Sequence, residues 1–189
     1  QFVQRLEQAR IGYYLPYAVS ASSGSGYGNG LWSAQPLQQP ADAEFPSSAS
    51  AMPAGTIRFD NGALPVRFVS VHTTSPTAQS WDLWRKSLTE MQQLTARTGT
   101  QYVLMGDFNA TYDHAVFRDL LGSRFQDAAR ASGHGLVFSW PADKPWLPAF
   151  SGIDHIVTER GVVVGQVSTM RIGGSDHRAL LATLDFTRR

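Results

Sequence analysis

Two short segments of this chain carry side chains suited to metal-assisted hydrolysis of a phosphoester. In the first, the apolar residues 103–105 run into Gly-Asp-Phe-Asn at 106–109. Side chains alternate along a strand with a period of two, so the end of this strand can project Asp107 and Asn109 to the same side. In the second, Ser-Asp-His at 175–177 leads into the apolar residues 179–184. Both segments place polar groups at the tip of a predicted buried strand, where a metal ion and a phosphate can reach them.

Two further segments could belong to the same site. A predicted strand over 66–72 ends in His72, and Asp154 lies within the otherwise apolar segment around it. Each residue alone also has a structural interpretation. Asp107 and Asn109 could cap turns, His72 could be a hydrogen-bonded core histidine, and Asp154 could pair with an arginine. The presence of all four segments at predicted strand ends favours one shared site.

The composition limits the function classes. A chain of 189 residues can form one compact domain, which we expect to span residues 1–189. The net charge of +1 gives no electrostatic basis for non-specific binding to duplex nucleic acid. The chain has no cysteine, which excludes disulfides and thiolate-bound metals. No apolar run reaches the length of a membrane span.

The hydrophobic pattern of the first half predicts the elements that lead to His72. We expect a helix over 2–9, an extended segment over 13–20, loops over 21–30 and 38–52, and a strand at 31–33. Strands over 54–59 and 66–72 flank Asp-Asn-Gly at 60–62, and this turn sequence predicts a hairpin.

The pattern of the second half predicts the elements that hold the other groups. The main helix is expected over 77–97, with an apolar face formed by Trp81, Trp84, Leu88, Met91 and Leu94. Asp113 is expected to cap a helix over 114–121. Strands are expected over 101–106, 135–139, 152–158, 161–171 and 178–186. Because strands outnumber helices, the pattern favours a layered α/β architecture with two sheets over a doubly wound parallel sheet.

Taken in order, these segments resemble the endonuclease/exonuclease/phosphatase superfamily, whose fold is shared by DNase I-like nucleases, inositol-polyphosphate phosphatases and neutral sphingomyelinases. The resemblance covers essentially the whole chain and rests on segments 28–37, 71–72, 106–109, 138–141, 153–156 and 175–177. It implies an α/β fold of four layers, in which two stacked mixed sheets are flanked by helices. The similarity is greatest to a bacterial branch in which this domain follows membrane-spanning helices. That branch implies an extracytoplasmic or secreted location, with a membrane anchor in the longer protein.

The resemblance also implies roles for five catalytic residues. His177 transfers a proton beside the scissile phosphate, and Asp154 orients His177 and stabilises its protonated form. Asp107 orients or deprotonates the attacking water, while Asn109 and His72 donate hydrogen bonds to phosphoryl oxygens. These roles suit the chemistry of the side chains, because an imidazole changes charge near neutral pH. His155, His114 and His134 receive no role, and His155 is expected on the outer surface of the sheet.

The implied cofactor is Mg²⁺ or Mn²⁺, bound by Asp107, Asn109 and Asp176. Relatives also supply an early asparagine and a glutamate that is the main metal ligand. None of the glutamates of this chain follows an apolar strand near the beginning; they are Glu7, Glu44, Glu90 and Glu159. We therefore expect a chain that lacks the first strands of the fold, binds Mg²⁺ weakly, hydrolyses phosphoesters poorly and associates with itself through an exposed sheet edge.

Two other functions remain open at this stage. The chain could be a non-catalytic member that binds a phosphorylated ligand or partner, an interpretation supported by Ala34, which stands where the family usually has arginine. It could also be a purely structural β-rich module, which leaves the acid and histidine segments unexplained. The sequence does not choose among nucleic acid, a phospholipid head group and an inositol phosphate as the phosphoester substrate. Trp146 and Pro148 belong to a loop at 140–150 that could border the site, although a packed loop is expected.

Overall fold

A computed structural model describes residues 8–22, 28–59 and 64–186 of the chain. The strands within these ranges are β1 Tyr17–Ser22, β2 Gly28–Ser33, β3 Gln38–Ala41, β4 Ala54–Ile57, β5 Val66–His72, β6 Gln101–Asp107, β7 Phe125–Asp127, β8 Asp154–Glu159, β9 Val163–Arg171 and β10 Arg178–Asp185. The helices are α1 Ile11–Tyr14, α2 Trp81–Met91, a 3₁₀ helix at Gln92–Ala96, α3 Ala115–Leu121 and α4 Ala128–Ala131.

A six-stranded mixed sheet carries most of the candidate site. Its strand order is β3-β4-β5-β6-β8-β7, and β5 and β6 are parallel while the other neighbours are antiparallel. Two antiparallel ribbons, β1-β2 and β9-β10, accompany this sheet. The combination of mixed sheets and helices confirms the predicted α/β class.

The register of three central strands brings distant polar residues to one edge of the sheet. His72 at the end of β5 pairs with Asp107 at the end of β6. Asp107 in turn pairs with Asp154, the first residue of β8. Because β5 and β6 are parallel, their carboxyl ends meet at the same edge, and the antiparallel strand β8 begins there.

Gly106 allows β5 and β6 to approach closely just before the polar residues. Its φ angle is 141°, a value that L side chains rarely adopt. A Cβ atom at this position would lie 2.1 Å from the carbonyl oxygen of Val71, which is its partner in the sheet. The glycine is therefore required by space as well as by backbone conformation.

The core lies between the sheet and helices α2 and α3. Trp84, Leu88, Met91 and Leu94 are buried, as the helical periodicity predicts. Trp81 is 44% exposed, so the prediction that it belongs to the buried face is wrong. It is the first residue of α2, and its ring packs against that of Trp84 at the margin of the core, with 4.8 Å between ring centroids.

Several predicted boundaries in the first half differ from the structure. The segment 13–20 is not wholly extended, because its first residues belong to α1. The segment 21–30 is not wholly a loop, because β1 ends and β2 begins within it. The loop predicted over 38–52 begins with β3, an edge strand that tolerates Pro40 because one side of an edge strand needs no ladder hydrogen bonds. The predicted helix residues 2–7 and the turn 60–62 lie outside the described residues.

Two predicted features of the second half are also wrong. Asp113 does not cap α3; His114 precedes the first helical turn, and the cap makes no side-chain hydrogen bond. The segment 135–139 forms no strand, because the backbone N–H groups of Ser139 and Trp140 both bond to the carbonyl of Ser151, which gives an isolated bridge. The other predicted strands are present with small shifts of their ends.

No helix among the described residues is long and apolar enough to cross a membrane. Self-association through a sheet edge stays a prediction.

The close contact at Gly106 gives a test of the sheet register. Gly106→Ala should lower the free energy of unfolding by about 2 kcal/mol or more, because the new Cβ must displace backbone. Gly12→Ala is a matched control, since a Cβ at helical Gly12 meets nothing within 4 Å; it should be neutral or stabilising. Urea denaturation measures both, and equal stabilities of the two variants would contradict the assigned register.

Candidate active site

A cavity of about 1100 Å³ opens at the edge where β5, β6 and β8 meet. Its lining includes all six side chains that the sequence singled out: His72, Asp107, Asn109, Asp154, Asp176 and His177. These residues come from the ends of two strands, the start of a third, a turn and the segment before β10. The structure therefore brings together groups as distant in sequence as His72 and His177.

His177 and Asp154 are joined by a short hydrogen bond in the cavity. His177 Nδ1 lies 2.7 Å from Asp154 Oδ2, so the protonated Nδ1 donates a hydrogen bond to the carboxylate. The other ring nitrogen, Nε2, lies 3.9 Å from Asp107 Oδ2. Within the described part of the chain Asp154 forms an ion pair with His177 and with no arginine, so that structural alternative is wrong there.

The turn after β6 holds Asp107 and Asn109 in a fixed relation. The backbone N–H of Asn109 donates to Asp107 Oδ1 at 2.7 Å, and the Asn109 amide donates to the carbonyl of Thr73 at 3.0 Å. Asn109 has a φ angle of 48°, a left-handed conformation that asparagine tolerates better than most residues. Asp107 therefore caps the turn through Oδ1 and also faces the cavity, because its Oδ2 is directed toward His72 and His177.

His72 occupies the opposite side of Asp107 from the His177–Asp154 pair. Its Nε2 lies 4.0 Å from Asp107 Oδ2. Its backbone is anchored by Ser50, whose hydroxyl donates to the His72 carbonyl at 2.6 Å. Asn29 of β2 donates to Ser50 Oγ and to the carbonyl of Ala51, which ties β2 to the same wall.

The surroundings set the protonation of the three groups that face one another. Burial, with the nearby charge of Asp154, raises the pKa of Asp107 to about 6. The hydrogen bond to Asp154 raises the pKa of His177. Burial, with the nearby charge of His177, lowers the pKa of His72. Near neutral pH, an ionised Asp107 can therefore coexist with a protonated His177 and a neutral His72.

The donor set of the cavity suits a hard cation of the magnesium type. The described residues contain no group of three or more His, Cys, Asp or Glu side chains arranged to hold a metal ion. Asp107, Asn109 and Asp176 offer two carboxylates and an amide at the cavity. Mg²⁺ is commonly bound by one or two carboxylates together with water and substrate phosphate, so these residues fit that mode of binding.

The glutamates within the described residues are engaged elsewhere. Glu44 pairs with Arg67 and Arg97. Glu90 accepts from Ser48, and Glu159 pairs with Arg124. None of these three carboxylates lines the cavity.

Trp32 and His114 line the cavity although neither was predicted there from the sequence. Trp140 also lines it, and it begins the loop at 140–150 that the sequence suggested as a border of the site. His114 received no role from the sequence, and its Nδ1 accepts a hydrogen bond from the backbone N–H of Thr111. A tryptophan in a strand looks like core from sequence alone, so no local pattern marked Trp32. Trp146 is 77% exposed, and the expectation that its loop is packed is wrong there.

His155 lies on the face of β8 opposite to Asp154, as the alternation of side chains predicts. It is buried, however, rather than on an outer surface. Its ring packs against the rings of Phe108 and Phe117 and bonds to Asp127 and to the carbonyl of Ala110. The predicted outer position is wrong because helices cover this face of the sheet.

Solved structures of other proteins share the fold of this chain. A comparison with curated protein sequences finds no match. Among solved structures, TDP2 of D. rerio, in a complex with a single-strand DNA product, superposes with a TM-score of 0.74 and 16% identity, over 97% of this chain and 81% of that one. A mannosyl-6-phosphatase of Bacteroides thetaiotaomicron gives a TM-score of 0.71 and 15% identity, over 98% and 82% of the two chains.

A third neighbour is named for the family itself. The protein from Leptotrichia buccalis gives a TM-score of 0.66 and 17% identity, over 90% of this chain and 72% of that one. These likenesses confirm the predicted sandwich fold. The sequence itself matches the family called Endonuclease/Exonuclease/phosphatase over residues 1–177. The chain therefore belongs to the endonuclease/exonuclease/phosphatase family.

Proposed function

We propose that this chain hydrolyses a phosphoester by direct attack of water on phosphorus, with Asp107 and His177 as the proton-transferring pair. The observation that carries the proposal is the arrangement of these two groups. His177 is hydrogen-bonded to Asp154 through Nδ1 and faces Asp107 across 3.9 Å through Nε2. A carboxylate and an imidazole that face one cavity can supply a proton acceptor for water and a proton donor for the leaving oxygen.

In the proposed reaction, Asp107 accepts a proton from the attacking water. A pKa of about 6 leaves this carboxylate ionised near neutral pH and makes it a stronger base than an ordinary aspartate. The water oxygen bonds to phosphorus as the bond to the leaving oxygen breaks. His177 gives the proton on Nε2 to the leaving oxygen, and Asp154 stabilises the imidazolium through Nδ1.

Two further groups would stabilise the phosphoryl oxygens. Neutral His72 can donate one hydrogen bond from its ring, and it faces the same carboxylate. Asn109 uses its amide N–H on Thr73, but an amide nitrogen carries two donors, and the second can serve the substrate. Hydrogen bonds to backbone carbonyls fix both groups before substrate binds. Ser50 donates to the carbonyl of His72, and the Asn109 amide donates to that of Thr73.

We further propose that activity depends on Mg²⁺ or Mn²⁺. Asp107, Asn109 and Asp176 would hold the ion, with water and substrate oxygens as further ligands. When bound, such an ion polarises the phosphate and offsets negative charge on its oxygens.

The proposal specifies the bond that is cleaved, a phosphoester, and a panel of substrates tests which class of molecule carries it. Two of the similar structures bear names that refer to DNA and to a mannosyl phosphate. Nucleic acid, phospholipid head groups and inositol phosphates therefore form the panel to test, together with 4-nitrophenyl phosphate and its diester. An extracytoplasmic location remains part of the proposal. Binding of a phosphorylated ligand without turnover would instead support a non-catalytic role.

Replacement of the proposed acid tests the assignment directly. His177→Ala should lower kcat by between about 10²-fold and 10⁴-fold with little change in KM, because proton transfer is lost. His134→Ala is the matched control, since His134 is exposed and lies outside the cavity lining. Steady-state hydrolysis of the best panel substrate measures both. Unchanged turnover in the His177 variant would refute the proposed mechanism.

The pH dependence gives a second test. Activity should rise as pH increases through about 6, where Asp107 ionises, and should fall above the raised pKa of His177, where the imidazolium is lost. Asp154→Asn removes a charge that contributes to the raised pKa of Asp107 and to that of His177. Both limbs of the profile should therefore move to lower pH. Asp119→Asn, at an exposed position on α3, should move neither limb. A profile with a single limb, or limbs unmoved by Asp154→Asn, would contradict the assignment.

Removal of metal tests the cofactor. Hydrolysis should be abolished by EDTA and restored by Mg²⁺ in the millimolar range, because few protein ligands face the cavity. We also expect turnover by this chain to be low even at saturating Mg²⁺. Turnover that persists in EDTA would exclude the proposed dependence, and tight binding in a calorimetric titration would contradict the expected weak affinity.

A further inference from the structure

We propose that His155 is a positioning residue that fixes the turn carrying Asp107 and Asn109 by donating a hydrogen bond to the carbonyl of Ala110. The predicted effect on turnover rests on the proposed function, but the positioning itself does not. His155 lies outside the cavity lining, on the far face of β8, so it acts through the turn rather than on the substrate.

The contacts of His155 use both nitrogens of its ring. Nε2 lies 2.7 Å from the carbonyl oxygen of Ala110, and Nδ1 lies 2.8 Å from Asp127 Oδ2. A carbonyl oxygen can only accept, so Nε2 must carry a proton in this geometry. The other oxygen of Asp127 accepts from the backbone N–H of Arg130 at 2.9 Å, which holds this carboxylate in place. Both ring nitrogens of His155 therefore lie within hydrogen-bond distance of a fixed oxygen.

The ring of His155 has little freedom to leave this position. It is buried, and so is Asp127. The ring of Phe117 lies nearly parallel to it, with 4.2 Å between centroids and an angle of 31°. Phe108, which sits between Asp107 and Asn109, meets the imidazole edge to face at 5.7 Å. An imidazole fixed by aromatic rings and an acceptor on each side is a rigid support for the chain it contacts.

The Ala110 carbonyl attaches the turn to its surroundings just after Asn109. Before Asn109, the carbonyl of Asp107 accepts from the backbone N–H of Thr73 at 3.0 Å, and that of Phe108 accepts from Thr73 Oγ1 at 2.6 Å and from Trp84 Nε1 at 3.3 Å. Asn109 lies between these attachments and has a positive φ angle. Loss of the attachment at Ala110 would remove the nearest support after Asn109, so the amide donor of Asn109 that is not used on Thr73 would be aimed less well at the phosphate.

The test compares a variant that loses the contact with a variant that only weakens the core. His155→Gln keeps an amide beside Asp127 but cannot bridge both acceptors, and His155→Phe removes both bonds. Leu120→Ala opens the same core, since Leu120 is fully buried, while it leaves the Ala110 contact intact. We expect both His155 variants to lower kcat by about tenfold or more with KM changed by less than about twofold. Leu120→Ala should retain kcat at temperatures where it is folded.

NMR readouts decide the proposal independently of activity. In the unmodified chain, the imidazole ¹⁵N shifts should show Nε2 of His155 protonated at neutral pH. In His155→Gln, the amide of Asn109, which donates to Asp107 Oδ1, should lose its protection from exchange, while Leu120→Ala should keep it. An unprotonated Nε2, retained protection in His155→Gln, or equal losses of kcat in Leu120→Ala and the His155 variants would each overturn the proposal. If the unmodified chain hydrolyses nothing, the proposed function fails while these shifts and exchange rates still judge the positioning.

Discussion

The geometry of the cavity depends on the close pairing of β6 with β5 at Gly106. No side chain separates the two backbones there, so a Cβ would collide with the Val71 carbonyl. This contact sets the register one residue before the polar groups, and it places Asp107 between His72 on one side and Asp154 on the other. A slip of one residue would turn Asp107 to the other face of the sheet, because side chains alternate along a strand. The chemistry thus rests on a steric constraint of the backbone.

That register has an electrostatic cost. Asp107 and Asp154 lie directly opposite each other, and like charges at such positions destabilise a sheet. The pKa of Asp107, raised to about 6, reflects this repulsion together with burial. His177 reduces the cost because it bonds to Asp154 and lies near Asp107. An arrangement that is unfavourable for folding thereby brings together the two groups that we propose as base and acid.

The sequence predicted the parts of the site that depend on local order along the chain. A strand that ends in a polar residue can be recognised from a few neighbouring letters, and this is why His72, Asp107 and Asp154 could be assigned to strand ends. The position of Trp32 beside the cavity depends on how β2 is held against the end of β5, through contacts of Asn29 with residues more than twenty positions away. Periodicity does not contain that information. The prediction that Trp81 is buried failed for a different reason. A helical face is buried only where another layer covers it, and Trp81 lies at the exposed end of α2.

The sequence predicted the correct face of β8 for His155 but wrongly predicted that this face is exposed. The layers around β8 explain the error. Alternation along a strand separates two faces but does not say which face is covered. Two adjacent residues of β8, Asp154 and His155, each form a His–Asp hydrogen bond. Asp154 binds His177 on the cavity side, and His155 binds Asp127 on the helix side. The first contact is half-buried and open to substrate, whereas the second is closed by aromatic rings. We propose proton transfer for the pair on the cavity side and support of the backbone for the pair on the helix side, and their different burial suits these two roles.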